Sequence, residues 1–406
     1  MMSKRQETIA AIAGTMRSSV SRRRLLQAAG LGSAAMVAAA CGAGGDEGGA
    51  EGSASAAAAE DMSDTDKTVN WSNWPLYIDV DEDTGTRPTL ERFQQETGIT
   101  VTYNEDVNDN NEFYAKVRTQ LEQGQDIGRD LVVLTDWMAA LWIDNGYAQR
   151  LDKAIMPNSG NIIPRLASVS FDPNRDYTMP WQSGFAGFGY NVAAYKEATG
   201  NDELVSLDQL WNPAIKGRVT VLSEMRDTMG VILAGEGFDP SDFTDDQYSQ
   251  AIEVLSQQVD SGQIRQVTGN DYIAALESGD VIAVIGWSGD ILALGEDFAY
   301  NIPETGGTLW TDNLVIPALA QHKKNAELLI NYYYNPDVAA EVAAYVNYIC
   351  PVEGAQAAME QIDPELATDP YIFPTEEMLN QNYVFMELTP EQNEQYEREF
   401  QKAIGN

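Results

Sequence analysis

The sequence predicts an α/β protein of two domains joined by two crossing segments, and three observations carry that expectation. A chain of 406 residues, 44% of them apolar, is long enough to build two cores of ordinary size. From residue 67 onward, short apolar or alternating runs give way repeatedly to helical periodicity, the pattern of parallel sheets covered by helices on both faces. Two stretches rich in Gly and aromatic residues interrupt it, WQSGFAGFGYN after Pro180 and GGTLWTDNLVIP from Gly306, and each suits a passage between domains.

Each element has a local reason. Lys67 to Asn70 is the first strand candidate, and Pro88 to Gln95 is a short amphipathic helix with Leu90 and Phe93 three apart and Gly98 placed to stop it. Ile99 to Tyr103 alternates as a strand. Asn111 to Leu121 is helical, with Phe113, Val117 and Leu121 four apart. Leu131 to Leu134 is a short apolar strand, and Asp136 to Asn145 a helix carrying Trp137, Met138, Leu141 and Trp142. After the first crossing come the strand Val219 to Leu222, helices near Gln247 to Val259 and Asp271 to Ser278, and the strand Val281 to Ile285. The return crossing, Leu309 to Pro317, leads into a largely helical end that begins with Ala326 to Tyr334. The expected division is residues 67–182 with 309–348 in one lobe and 183–308 with 349–406 in the other.

The first 41 residues differ from all that follows. Lys4, Arg5, Arg17 and Arg22 to Arg24 precede a small apolar run, Ala28 to Ala40, that ends at Cys41. The run is too short to span a bilayer, which takes roughly 20 apolar residues, so it reads as an export signal. Ser21 to Gln27 (SRRRLLQ) resembles a twin-arginine signal, and Ala38 to Cys41 (AAAC) resembles a lipobox, which implies lipid attachment at Cys41. Residues 42–66, all Gly, Ala, Ser and acid apart from a few others, form a flexible linker.

Net charge is −37, and removing residues 1–40 takes away six Lys or Arg and a single acid, so the exported chain is more acidic still. That sign excludes nucleic acid, whose binding needs clustered Lys and Arg at phosphates. It favours cations, through a long-range field that salt weakens, and it fits equally a protein working in salty surroundings. Cys41 and Cys350 are the only cysteines, so an acylated Cys41 leaves Cys350 as a buried free thiol.

In open parallel sheets, ligands bind beyond the carboxyl ends of strands. Here those ends carry acids, aromatics or both. Leu131 to Leu134 leads to Thr135, Val219 to Leu222 leads to Glu224 and Asp227, and Val281 to Ile285 leads to Trp287 and Asp290. The return crossing carries Trp310 and Asp312, and the first strand precedes Trp74 and Tyr77. Glu224 and Asp227 have a plainer reading as first-turn acids of a helix capped by Ser223. Their recurrence with Asp290 and Asp312 favours a cation site. Aromatic faces attract ammonium groups and cover methylenes, at about 0.5–2 kcal/mol per contact, while carboxylates fix the charges. Arg226, between the two acids, is expected to turn outward or to brace a carboxylate.

The stretches NWPLYI, DLVVLTDW, VLSEMRDT, IGWSGD, GGTLWTDNLVIP and NYYYNPDVA resemble, in order and spacing, the spermidine/putrescine-binding proteins of ABC importers, over nearly all of residues 68–350. The resemblance implies a two-lobed periplasmic-binding-protein fold of type II that closes like a hinged clamp. It implies ligand contacts from Trp74, Tyr77, Thr135, Glu224, Asp227, Trp287, Asp290, Trp310, Asp312 and Tyr348. It implies a polyamine ligand, a membrane permease as partner and a monomer. Two positions depart from the pattern. Pro75 stands where Thr or Ser often contributes a hydroxyl, and Leu76 stands where the putrescine branch has an acid.

Other chemistries find little support. Asp79, Asp81 and Asp83 suggest a calcium loop, but Gly85 and Glu91 fall one place late for it, so an acidic solvated turn is expected. His322, the single histidine, sits beside Lys323 and Lys324 and is expected at the surface. Without a Cys–His pair, a phosphate-binding GxxxxGK or HExxH, no enzyme, metal or cofactor is expected. Asp136 is expected to cap a helix, and Trp137 and Trp142 to pack the domain. Binding of another organic cation, or glycoside hydrolysis by paired carboxylates, are the alternatives.

Overall fold

The computed structural model describes residues 59–81 and 83–405, so the export signal, Cys41 and most of the linker lie outside the described residues. Three strands, β1 (Thr68–Asn73), β2 (Thr100–Glu105) and β3 (Leu131–Thr135), form a parallel wing with β1 in its middle. Three more, β5 (Val219–Leu222), β6 (Ile264–Thr268) and β7 (Ala283–Trp287), form a second parallel wing around β5. Between them run β4 (Thr178–Asn191) and β9 (Thr308–Val315), antiparallel to each other. The order is β2-β1-β3-β9-β4-β7-β5-β6, with β8 (Phe298–Asn301) pairing with β4.

The two expected crossings are therefore strands, and their length is what joins the wings. β9 pairs with β3 through Asp312 to Val315, whereas β4 pairs with β7 through Ala186 to Tyr190. Glycine lets the crossing strands come together: a Cβ on Gly184 would lie 2.6 Å from the Trp310 ring and 2.8 Å from the Tyr348 ring. Pro180 lies where the register between β4 and β9 shifts, a place where a missing N–H breaks no ladder.

The α/β alternation follows the expected order. The helix Pro88–Thr97 ends at Gly98, whose φ of 70° is the left-handed cap that glycine adopts without strain. The helices Asn110–Glu122 and Asp136–Asp144 flank the first wing; Met225–Gly235, Asp245–Asp260 and Tyr272–Glu277 flank the second. Strand β6 was not expected, because its sequence IRQVT carries polar, exposed residues in the middle and lacks an apolar run. The C-terminal residues divide between the wings. Ala355–Ile362 packs on Pro336–Val346, whereas Pro390–Ala403 packs on Asp245–Asp260, with Tyr248 and Tyr396 stacked at 3.9 Å.

Both wings bury apolar cores, including Trp71, Phe93 and Trp142 on one side and Val221, Leu233 and Leu255 on the other. Cys350 is a buried free thiol, and burial pushes it up to about 12. His322 departs from its expected exposure. Its side chain is only 13% exposed, with Nδ1 3.0 Å from Asp130 and Nε2 3.3 Å from Asp66. Asp79 accepts from the Thr89 amide in the first turn of Pro88–Thr97, so it serves that helix. Among the described residues no group of His, Cys, Asp and Glu could hold a metal ion, and no helix is long and apolar enough to cross a membrane.

Candidate ligand-binding site

The carboxyl ends of the strands of both wings converge on one cavity of about 370 Å³, counted out to its mouth. It is lined by all ten residues singled out in the sequence, together with Pro75 and Asn270. Trp74 and Tyr77 follow β1, Thr135 ends β3, and Trp287 ends β7 with Asp290 one turn on. Trp310 and Asp312 lie on the crossing strand β9, and Tyr348 follows the helix Pro336–Val346.

The loop VLSEMRDTMG resolves into distinct roles. The helix starts at Met225, and Glu224 occupies its N-cap position without a side-chain cap bond. Ser223 is therefore not the cap; its hydroxyl donates to Asp109 Oδ2 at 2.7 Å, on the other wing. Glu224 Oε1 likewise reaches across, accepting from the Asn110 amide and from Asn110 Nδ2, both at 2.8 Å. Asp227, in the first helical turn, accepts from Trp287 Nε1 at 2.9 Å. Capping does not account for these two acids, since both line the cavity.

The other two carboxylates are held by hydroxyl and amide donors. Asp312 accepts from Tyr77 Oη at 2.8 Å and from Thr135 Oγ1 at 2.7 Å. Asp290 accepts from Tyr272 Oη at 2.8 Å and from Asn270 Nδ2 at 3.0 Å. Rings close the walls at right angles: Trp74 against Trp287 at 5.9 Å, and Tyr348 between Trp310 at 5.2 Å and Tyr77 at 5.4 Å.

Holding four carboxylates together out of water has an electrostatic signature. Burial pushes the Asp312 carboxyl up to about 7 and Asp227 up to about 6, against the hydrogen bonds that favour their charged forms. Burial, followed by the nearby Asp109, raises Glu224 well above the ordinary range. Burial of this kind favours the neutral carboxyls, and a cation placed beside them would favour the charged forms.

Sequence reasoning missed several supporting residues for definite reasons. Asn270 follows β6, the strand that polarity concealed, and Tyr272 begins the next helix. Asn110 joins Glu224 to Thr135, donating to both, in a contact between wings that no local pattern announces. Asp136 lies inside its helix at the first position, where its carboxylate accepts from Asn313 Nδ2 at 2.7 Å. Arg226 does turn from the cavity, and it stacks on Trp137 of the other wing with Cζ 4.2 Å from the ring centroid. Trp137 thus meets a partner across the cleft, in addition to packing against the core.

Two α/β wings meeting on paired crossing strands, with a cavity at the strand ends between them, define a clamp-type solute-binding protein. The model of bacterial extracellular solute-binding proteins matches residues 89–374, and the chain belongs to that family, whose members are exported. It is 30% identical over 340 residues to the putrescine-binding periplasmic protein SpuD of Pseudomonas aeruginosa, covering 79% of this chain and 88% of that one. It is 29% identical over 319 residues to the spermidine/putrescine-binding periplasmic protein of Salmonella typhimurium, covering 78% and 85%. A solved structure from Listeria monocytogenes, described as a spermidine/putrescine ABC transporter, superposes with a TM-score of 0.70 at 26% identity, covering 83% of this chain and 98% of that one.

Proposed function

We propose that this chain captures a polyamine of the spermidine/putrescine type outside the cytoplasm and delivers it to the membrane permease of an ABC importer. The observation that carries the reading is the cavity wall, where four carboxylates and five tryptophan and tyrosine rings, packed edge to face as a pair and a trio, face the same space with, among the described residues, not one Lys or Arg side chain. An extended chain with ammonium groups matches this wall: rings cover methylenes, and carboxylates take the charges. The names of the relatives in Pseudomonas and Salmonella support the same ligand class.

In this reading Trp74, Tyr77, Thr135, Glu224, Asp227, Trp287, Asp290, Trp310, Asp312 and Tyr348 contact the ligand. Two lobes, 67–182 with 309–348 and 183–308 with most of 349–406, close on it. Binding needs no cofactor and no bond is made or broken, so the chain is not an enzyme; it works as a monomer. The charged leader is an export signal, and Cys41 carries the lipid that holds the linker at the membrane.

Titration calorimetry against putrescine, cadaverine, spermidine and spermine at two salt concentrations tests this. Nanomolar to micromolar binding of at least one of them, about −12 to −8 kcal/mol, is expected. No binding to any of them, with heat released by a different organic cation or by a sugar, would reject the polyamine.

A further inference from the structure

We propose that Arg226 and Trp137 form a clamp outside the cavity, which holds the two lobes shut and so sets how long a ligand stays. Trp137 lies in the helix that follows β3, and Arg226 in the helix that follows β5, so their contact joins one wing to the other. Neither residue lines the cavity.

The contact is built on both sides. Arg226 is half-buried, its side chain 13% exposed, with its guanidinium over the Trp137 ring and Nη2 donating to Asn393 Oδ1 at 2.8 Å. Asn393 lies in the C-terminal helix Pro390–Ala403, which packs on the second wing. One turn further along that helix, Glu397 lies 3.9 Å from Arg226 Nη1 and accepts from Asn111 Nδ2 of the first wing at 3.2 Å. The C-terminal helix therefore fixes the guanidinium in place and adds a second tie across the cleft. A planar cation stacked on a ring in this way loses little rotamer freedom, which is why Arg suits the position and Lys does not.

The same placement settles a conflict at the site. Arg226 is flanked in sequence by Met225 and Asp227, with Glu224 two before it, and a guanidinium turned inward would neutralise the two anchors of an incoming cation. Stacked on Trp137, it leaves their cavity side clear. Prising the lobes apart removes the ring from the guanidinium and exposes both. Closure therefore gains from a contact that ligand chemistry does not touch.

The test compares the full chain with Arg226→Ala, Trp137→Leu, the double variant and Trp137→Phe. Small-angle scattering without ligand should give a larger radius of gyration for both single variants, with the double no larger than either and Trp137→Phe close to wild type. Equal radii throughout would overturn the clamp. Stopped-flow fluorescence with spermidine, which rests on the ligand class proposed above, should show release faster by about threefold to thirtyfold in the single variants, with association unchanged. Unchanged release, or a change confined to association, would also overturn it. Failure of the wild type to bind spermidine would defeat the ligand assignment and leave the scattering arm to decide the clamp.

Discussion

Replacing Asp312 with Asn should weaken ligand binding and, at the same time, make the ligand-free protein more stable at alkaline pH. The folded-state pKa of Asp312, about 7, lies above the ordinary value of 3.8 because the carboxyl is buried. The folded chain therefore binds more protons than the unfolded one between those values. Its stability is intact below about pH 4 and is lost as pH rises toward 7, the reverse of a salt-bridged acid. At about 1.4 kcal/mol per pH unit, keeping this group ionised at pH 8 costs the ligand-free protein about 4 kcal/mol. Asn carries no charge, keeps one acceptor for Tyr77, and offers its amide to a Thr135 hydroxyl that can rotate to accept. The variant should be more stable than wild type by about 1–4 kcal/mol at pH 8, a rise of about 2–5 °C in Tm, with the gap narrowing by about 3 kcal/mol at pH 4.5. Calorimetric unfolding at the two pH values, with spermidine titrations alongside, measures both effects. Spermidine affinity should fall at least tenfold, about 1.4 kcal/mol, through loss of a charged partner. A variant no more stable at pH 8, or one that binds as tightly as wild type, would refute the assignment of Asp312 as a strained, buried anchor.

Because Asp312 and Asp227 sit up at about 7 and about 6, a bound cation should pull both down and expel protons. Binding heats at pH 7 should thus differ between buffers of different ionisation enthalpy, and affinity should drop as pH falls from 8 to 5.5; affinity rising with acid would contradict the site. Gly184→Val should weaken binding by tenfold or more at about 1–3 kcal/mol of strain, because its side chain would enter the Trp310 and Tyr348 rings; near-normal affinity would show that those rings do not shape the cavity. Asn110→Ala removes the side-chain donor shared by Glu224 and Thr135 and should weaken binding by about 1–3 kcal/mol in a spermidine titration. Raising salt should slow association more than it speeds release, as expected of steering by a net charge of −37; stopped-flow rates at two salt concentrations decide this.

Much of the fold was legible because it is local. Leu131 to Leu134 and Val219 to Leu222 are apolar runs that only a buried strand accommodates, and both are strands. Gly98 stops its helix because a left-handed cap needs no Cβ. β6 was illegible because its middle residues face solvent, and with it went Asn270. Ser223 reads as a cap on composition alone, yet a partner on the other wing, Asp109, takes its hydroxyl. His322 reads as exposed between polar neighbours, yet Asp66 and Asp130 come from chain segments far away.

By itself the sequence determined which side chains stand at the ends of the strands, because the alternation of apolar runs and helical periods is a property of short windows. Acids and aromatics gathered at those ends specify a preference for cations before any contact is known. Only the tertiary structure decided that β4 and β9 run as a shared antiparallel pair, that Glu224 answers to Asn110 and Asp312 to Tyr77, and that Arg226 leaves its neighbours for Trp137. Each of those pairings joins residues far apart in the chain, and burial, which raises the carboxyl pKa values, arises only once the wings have come together.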